Sequence, residues 1–172
     1  MTAEIRALQD DDDRRAFRSG DEAIDLYFHR YAGQNQFKHH IGVSYVAVEE
    51  SEILGFVTLS TATLDADELP NGRPRPPYPI PVLRLARLAV DESARDRGVG
   101  RALLRFTIEL AERQRDEVGC VGVLVDAKPG AVDFYERYGF VQLDAQVGEA
   151  QILPRPVPMF VPLGSVPRSS GS

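Results

Sequence analysis

The amino-acid sequence predicts an α/β fold, a mixed central sheet with helices on its faces. Two observations lead to this class. Strand-like and helix-like segments alternate in the second half of the chain, as they do where helices connect the strands of one sheet. In the first half, two apolar segments flank a polar turn at residues 49–52, which indicates a hairpin. The length of 172 residues suits one domain, expected over residues 1–163, with a disordered tail at 164–172.

Hydrophobic periodicity, capping residues and turn residues predict the individual elements. Ser19 and Glu22 have the spacing of a capping box, so Ser19 is expected to cap a helix over about residues 21–32, which a second helix continues to about residue 38. Six prolines in residues 65–81 predict a stiff surface loop, and residues 126–130 a second loop. The predicted strands cover residues 5–8, 43–48, 53–61, 82–90, 121–125, 140–143 and 158–163, and the predicted helices 21–32, 98–117 and 131–138.

Composition and charge exclude several classes of protein. Apolar residues make up 43% of the chain, near the globular average, and no apolar run is long enough to predict a transmembrane helix. Cys120 is the only cysteine, so neither an internal disulfide nor a thiolate metal cluster is possible. The N-terminus lacks the pattern of a signal peptide, and we expect a cytoplasmic protein. The net charge of −6 gives the chain no overall attraction to phosphates, although residues 84–115 hold eight arginines against five acids.

The end of the strand 82–90 leads into a pattern typical of an anion site. A polar loop follows Val90, and Arg-x-x-Gly-x-Gly then opens a helix. The free N–H groups and the dipole of a helix start attract anions, and glycine allows a pyrophosphate to approach the backbone. The same pattern also occurs in an ordinary strand-to-helix turn. The residues concerned are Arg95, Arg97, Gly98, Val99, Gly100 and Arg101.

A second pattern, Phe134-Tyr135-x-x-x-Gly139-Phe140 after the strand 121–125, resembles the back half of GNAT-superfamily N-acetyltransferases. The Arg-x-x-Gly-x-Gly stretch resembles the same family's acyl-CoA motif, and the resemblance covers residues 4–163. It implies the GNAT fold, a mixed sheet splayed at the acyl-CoA site, with acetyl-CoA as donor. It assigns protonation of the departing thiolate to Tyr135. The alternative is that Tyr135 is an aromatic residue of the core whose hydroxyl is hydrogen-bonded locally. It assigns cofactor binding to Leu88, Ala89, Val90 and Phe134 besides the six residues of the anion site.

The front half and the last strand resemble the toxin-type branch of toxin–antitoxin systems, in residues 17–20, 24–25, 27–28, 34, 79–81, 87–91, 125–127 and 158–163. That branch acetylates the α-amine of aminoacyl-tRNA and is restrained by an antitoxin protein, and a homodimer is expected by analogy. The strand 82–90 lacks Asp, Glu and His, which suits an α-amine that needs little help from a base. Arg73, Arg75 and Arg87 are the candidate substrate residues, while the negative net charge argues against tRNA.

Three other functions remain open. The acceptor amine can instead belong to a small molecule or to a protein, and the chain can be a regulatory module that binds acyl-CoA without catalysis. No metal site is predicted: His29, His39 and His40 lack the spacing for one ion and read as surface residues, and the acidic run at residues 10–13 reads as a solvated turn.

Overall fold

The computed structural model describes residues 2–69, 78–143 and 156–165. It contains a mixed seven-stranded sheet with strand order β1-β2-β3-β4-β5-β7-β6, which confirms the predicted α/β class. No described helix has both the length and the apolar character that crossing a membrane requires. The strands are β1 (Glu4–Ala7), β2 (Val43–Glu49), β3 (Glu52–Leu64), β4 (Ile80–Val90), β5 (Gly122–Ala127), β6 (Val141–Gln142) and β7 (Val157–Pro162), and the helices are α1 (Glu22–Leu26), α2 (Val99–Glu117) and α3 (Val132–Arg137).

The chain divides into two compact units, and the first comprises Met1–Ser60 and Leu85–Leu110. In it β1 pairs with β2 and β2 with β3, both antiparallel. Three phenylalanines dominate its core. The rings of Phe28 and Phe56 stack at 4.1 Å, and Phe17 meets them edge-on at 5.0 and 5.5 Å. These geometries add favourable ring contacts to the burial of apolar surface.

The first helix begins differently from the prediction. Asp21, not Ser19, is the capping residue, and its carboxylate accepts hydrogen bonds from the N–H groups of Ala23 and Ile24. The Ser19 hydroxyl instead donates to the carboxylate of Asp25 at 2.6 Å. The prediction of a capping box at Ser19 was therefore wrong. Asp21 lies next to the first turn, and its carboxylate reaches the free N–H groups directly.

Beyond Leu26 the helix widens into two π-helical turns, Tyr27–Tyr31 and Gln34–Lys38. Helical structure to residue 38 is therefore confirmed, although it follows the first helix without a break. The side chain of Gln36 donates to the carbonyl of Leu8 at 3.0 Å and accepts from the N–H of Ser44 at 2.9 Å. One amide thus connects the wide helix to the end of β1 and the start of β2.

The hairpin of β2 and β3 is confirmed, and its turn has two residues. Glu49 pairs with Glu52, and both Glu50 and Ser51 have positive φ. Positive φ at both central positions is the geometry of the hairpin turn that matches the natural twist of two strands. Residues other than glycine occupy these positions at some conformational cost.

The second unit comprises Thr61–Arg84 and Ala111–Ser172. β7 pairs antiparallel with both β5 and β6, and Gly122 lies so close to Val161 and Phe160 on β7 that a Cβ atom has no room there. Cys120 precedes β5. It is buried, its thiol donates to the carbonyl of Gly122, and burial raises the pKa of the thiol, as expected for a packing residue.

The element boundaries differ from the predictions in one instructive place. Asp126 and Ala127, expected in a loop, are the last residues of β5, because β7 continues the ladder to them by pairing Val157 with Ala127. Much of the proline-rich loop, residues 70–77, lies outside the described residues. The turn Leu163–Ser165 includes the first two residues of the predicted tail, and residues 166–172 again lie outside them.

Candidate active site

The first candidate region is the turn that follows β4, in the first unit. Asp91 caps this turn: its carboxylate accepts from the N–H and hydroxyl of Ser93, at 3.0 and 2.6 Å, and from the N–H of Arg18 at 2.8 Å. Partial burial of Asp91 opposes ionisation, but these hydrogen bonds outweigh it and hold the pKa of its carboxyl below the ordinary value. The turn is thereby fixed in one conformation.

A bulge in β3 supports the same turn. The register of β2 and β3 shifts so that Ala47 faces Gly55 and Val48 faces Ile53, which leaves Leu54 unpaired in the ladder. The carbonyl of Leu54 accepts a hydrogen bond from the N–H of Asp91 at 2.8 Å. The bulge therefore supplies a backbone acceptor where β4 ends.

Gly55 lets the start of α2 approach the sheet. A Cβ atom at Gly55 would lie 2.8 Å from Val99 Cγ1, 2.9 Å from the carbonyl oxygen of Ala89 and 3.1 Å from Leu103 Cδ1. Real Cβ atoms almost never come so close to backbone. The absence of a side chain at Gly55 thus sets the position of the first helical turn against the end of β4.

The start of α2 has the conformation of an anion cradle. Asp96 and Gly98 have positive φ, in the kind of turn whose successive N–H groups converge on one point. The first i-to-i−4 bond joins the N–H of Ala102 to the carbonyl of Gly98 at 3.0 Å, so the N–H groups of Val99, Gly100 and Arg101 precede the helical ladder. The space in front of the Gly98 Cα is open, since a Cβ atom at this position would meet nothing within 4 Å.

The three arginines of this motif differ in what they contact. Arg95 donates to the carbonyl of Ser19 at 2.9 Å, and Arg97 contacts both carboxylate oxygens of Glu49 at 3.1 and 2.9 Å. Hydrogen bonds from Thr2 and Arg97 lower the pKa of the Glu49 carboxyl. Arg101 is exposed, and its guanidinium has no polar partner among the described residues. Of the three, Arg101 is the guanidinium most available to an anion.

The strand residues of the predicted site lie at the end of β4 as expected. Ala89 is buried in the core of the first unit, and Leu88 and Val90 are half-buried. Arg87 precedes them, and its guanidinium stacks 3.6 Å from the ring centroid of the buried Tyr27. This cation–π contact holds Arg87 in place.

A separate candidate region is α3, which belongs to the second unit. Tyr135 is buried, and its ring meets Phe134 at 5.1 Å and Phe140 at 5.3 Å, both edge-on. Burial raises the pKa of Tyr135. Its hydroxyl has no hydrogen-bond partner in the described chain, yet that chain contains no fully enclosed side-chain oxygen or nitrogen without a partner. The Tyr135 oxygen therefore retains access to solvent or to a ligand.

The remaining candidate residues named from the sequence are two arginines and three histidines. Arg73 and Arg75 lie outside the described residues. His29 is bound to the carbonyl of Phe17 at 2.9 Å, while His39 and His40 are exposed. Within residues 2–69, 78–143 and 156–165, no three His, Cys, Asp or Glu side chains are grouped so as to hold a metal ion.

Sequence reasoning missed three supports of the turn after β4: Gly55, the bulge at Leu54, and the contacts of Arg18 and Ser19. An isolated glycine inside a strand pattern is a known sign of a bulge or a close backbone approach, so Gly55 offered a signal. The backbone of Arg18 and Ser19 is hydrogen-bonded to the turn after β4. No sequence signal predicted these contacts, because more than 70 residues separate the partners.

Comparison with known proteins assigns the family. Residues 40–142, which run from before β2 to β6, match the model of the acetyltransferase (GNAT) domain. The chain belongs to the GNAT family, and it is an acetyl-CoA-dependent N-acetyltransferase. Its fold and the ordered turn after β4 agree with the resemblance drawn from the two sequence motifs.

Its relatives include toxins. A Mycobacterium tuberculosis protein named tRNA-acetylating toxin is 34% identical over 140 residues, which cover 78% of this chain and 82% of that protein. The solved structure of AtaT complexed with acetyl-methionyl-tRNAfMet has a TM-score of 0.80 and 25% identity, covering 95% of this chain and 96% of that one. AtaTR bound with AcCoA has a TM-score of 0.79 and 27% identity, covering 95% of both chains. The chain is thus similar to a tRNA-acetylating toxin over 78% of its length, and to the two AtaT structures over 95%.

Proposed function

We propose that this N-acetyltransferase acts in the cytoplasm as a toxin-type enzyme, which transfers the acetyl group of acetyl-CoA to the α-amine of aminoacyl-tRNA. The observation that carries the proposal is the 34% identity to a tRNA-acetylating toxin across 78% of the chain. The likeness to AtaT in complex with acetyl-methionyl-tRNAfMet supports it. Since a solved AtaT structure also contains the antitoxin AtaR, we include an antitoxin protein among the proposed partners.

The turn after β4 suits the donor. The pyrophosphate of acetyl-CoA would accept hydrogen bonds from the N–H groups of residues 97–101, with Arg101 as the available cation. The open space at Gly98, where a Cβ atom would meet nothing within 4 Å, supports this placement. The amide groups of the pantetheine arm would pair with the backbone of Leu88 and Val90, which end β4.

The chemistry assigned to Tyr135 is one proton transfer. The acceptor nitrogen attacks the thioester carbonyl, the carbon–sulfur bond breaks, and the thiolate of CoA takes the proton of the Tyr135 hydroxyl. The proton lost by the acceptor nitrogen replaces it, so the net products are the amide and the CoA thiol. Because burial raises the pKa of Tyr135, its phenolate is unfavourable, and the two proton movements have to be closely coupled.

The acceptor needs little help from a base. An α-amine has a pKa near 8, against about 10.4 for a lysine side chain, so a useful fraction is neutral at pH 7. β4 offers no Asp, Glu or His to take up the proton. This chemistry favours an α-amine over a lysine side chain or a polyamine.

Acetyl transfer from radiolabelled acetyl-CoA tests the proposal. Bulk aminoacyl-tRNA, spermidine and a lysine peptide are offered in parallel reactions. We expect label in the tRNA fraction, and we expect mild alkaline hydrolysis of the aminoacyl ester to release it as an N-acetyl amino acid. Label on spermidine or the peptide alone would reject aminoacyl-tRNA as the acceptor and leave the acetyltransferase assignment intact.

A further inference from the structure

A segment without acidic residues begins at the last residue of α1. From Leu26 to Val48 the chain contains no Asp or Glu, although it has 26 of them in all. The same segment contributes Arg30, Lys38 and three histidines. A local excess of cations on an acidic protein is the electrostatic signature of a surface for an anionic partner.

Apolar and aromatic side chains are exposed on this segment. Tyr31 is 46% exposed, Phe37 39% and Ile41 64%. Together with Leu26 they account for four of the eight large apolar side chains that the described residues expose. We call the exposed residues Arg30, Tyr31, Gln34, Phe37 and Lys38 of this helix, together with Ile41 just beyond it, the helical face.

The nearest acidic run does little to cancel this charge. Asp11, Asp12 and Asp13 line a surface cavity together with His29. Asp12 is paired with Arg6 at 2.8 Å, and Asp13 with Arg15 at 3.1 Å. Two of the three carboxylates are therefore already matched by arginines of their own neighbourhood.

Arg87 adds a cation next to the segment. Its guanidinium lies on the ring of Tyr27, the residue that begins the first π-helical turn. Arg87 is half-buried, and none of the N–H groups of its guanidinium has a hydrogen-bond partner among the described residues. A guanidinium that is held by stacking and has unused donors is ready to bind a phosphate in a fixed orientation.

We propose that the helical face and Arg87 bind the phosphate backbone and unpaired bases of the tRNA acceptor. This inference rests on the proposed function and deepens it, since it names the surface that receives the substrate. Arg30, Lys38 and Arg87 pair with phosphates, while Tyr31 and Phe37 stack on bases. Exposed aromatic rings among cations are the combination that binds single-stranded nucleic acid without regard to sequence. It explains how a chain of net charge −6 holds an RNA.

Charge reversal on the full-length protein tests the helical face. Binding of purified tRNA is measured by filter binding at several salt concentrations, for the wild type and for Arg30→Glu/Lys38→Glu. We expect the double variant to bind at least about tenfold more weakly and with a salt dependence reduced by about two phosphate contacts. The matched control is Arg105→Glu/Arg113→Glu on exposed positions of α2, which changes the net charge equally and should not alter the salt dependence.

A second readout separates this inference from the proposed function. Acetylation of methionine methyl ester, a small α-amine, should be equal in the wild type and the helical-face variant, whereas the KM for aminoacyl-tRNA should rise in the variant. Equal tRNA acetylation by both proteins would overturn the helical face and leave the proposed function standing. A wild type that neither binds nor acetylates tRNA would overturn both. A variant that changes oligomeric state and binds tRNA normally would make this face a protein–protein interface and reject the inference.

Arg87 is tested by its conservative replacement. Arg87→Lys keeps the charge but loses the planar group that stacks on Tyr27, and Arg87→Gln loses both. We expect the KM for aminoacyl-tRNA to rise in the order wild type, Lys, Gln, with acetyl-CoA affinity unchanged. Equal KM values in all three proteins would remove Arg87 from the tRNA surface.

Discussion

In the turn after β4, Asp91 alone accepts three hydrogen bonds, and Arg95 and Leu54 attach the same turn to two other segments. In α3, by contrast, the Tyr135 hydroxyl has no hydrogen-bond partner among the described residues, and its ring is positioned by Phe134 and Phe140. The first region uses backbone groups as its functional atoms and fixes them by a network. The second uses one hydroxyl and fixes it by apolar packing. A network tolerates the loss of one bond, whereas a single hydroxyl has no substitute.

The largest effect is therefore expected at Tyr135. Tyr135→Phe keeps the ring packing and removes the proton, so we expect kcat to fall about a hundredfold or more with acetyl-CoA affinity nearly unchanged. Steady-state kinetics and a titration with acetyl-CoA measure the two quantities. Because burial raises the pKa of Tyr135, the wild-type rate should show no loss from its ionisation up to pH 10. A fully active variant would exclude Tyr135 from the proton transfer.

The next effect is expected at Gly55, where the network depends on close packing. Gly55→Val places atoms where Val99 and the Ala89 carbonyl already lie, and we expect a loss of about 1–3 kcal/mol in the free energy of unfolding. Urea denaturation measures it, and acetyl-CoA affinity should fall as the start of α2 is displaced. Gly130→Ala is the control, since a Cβ there meets nothing within 4 Å. Equal stability of the two variants would contradict the packing at Gly55.

Substitutions at Gly98 separate the effect of backbone conformation from the effect of a steric clash. Its φ is +80° and the space before it is open, so Gly98→Ala should cost about 1–2 kcal/mol in backbone strain without a clash. Gly98→Asn should be tolerated better, because asparagine adopts positive φ more readily. Thermal unfolding ranks the variants, and acetyl-CoA titration should follow the same order. Equal affinities in glycine, alanine and asparagine proteins would show that this residue does not shape the cradle.

The smallest effect is expected at Asp91, where several hydrogen bonds share the task. The folded-state pKa of this carboxyl is lowered, so its contribution to stability is present above the unfolded pKa of about 3.9 and is lost as the pH falls through the folded value. Asp91→Asn should therefore be slightly less stable than the wild type at pH 7. Urea titrations at pH 7 and pH 3 should show this difference shrinking at the lower pH, and a constant difference would assign it to packing.

The sequence allowed the sheet, the long helix α2 and both GNAT motifs to be predicted, because their signals are local. The alternation of apolar residues in strands and their periodicity in helices lie within the elements that they predict. Gly98 likewise lies in the turn that it shapes. The wrong helix cap at Ser19 shows the limit of such a signal: two residues competed for one helix start, and the nearer carboxylate prevailed. The site itself depends on contacts distant in sequence.

Three of those contacts show why the remainder escaped prediction. Arg95 and Arg97 were expected to contribute charge to the anion site, yet Arg95 donates to Ser19 and Arg97 to Glu49, across 76 and 48 residues. Gly55 fits beneath Val99 only once β3 and α2 have come together. No local pattern distinguishes an arginine that binds a ligand from one that ties two segments together.

Cys120 has a practical consequence for work on this enzyme. The thiolate is the reactive form of cysteine, and here the single thiol is buried, hydrogen-bonded to Gly122 and raised in pKa. Maleimide reagents should therefore leave the native chain almost unlabelled. A cysteine introduced on the exposed side of the π-helical segment, for example at Gln34, would then carry a dye at one defined position, and tRNA could be followed by fluorescence as it arrives.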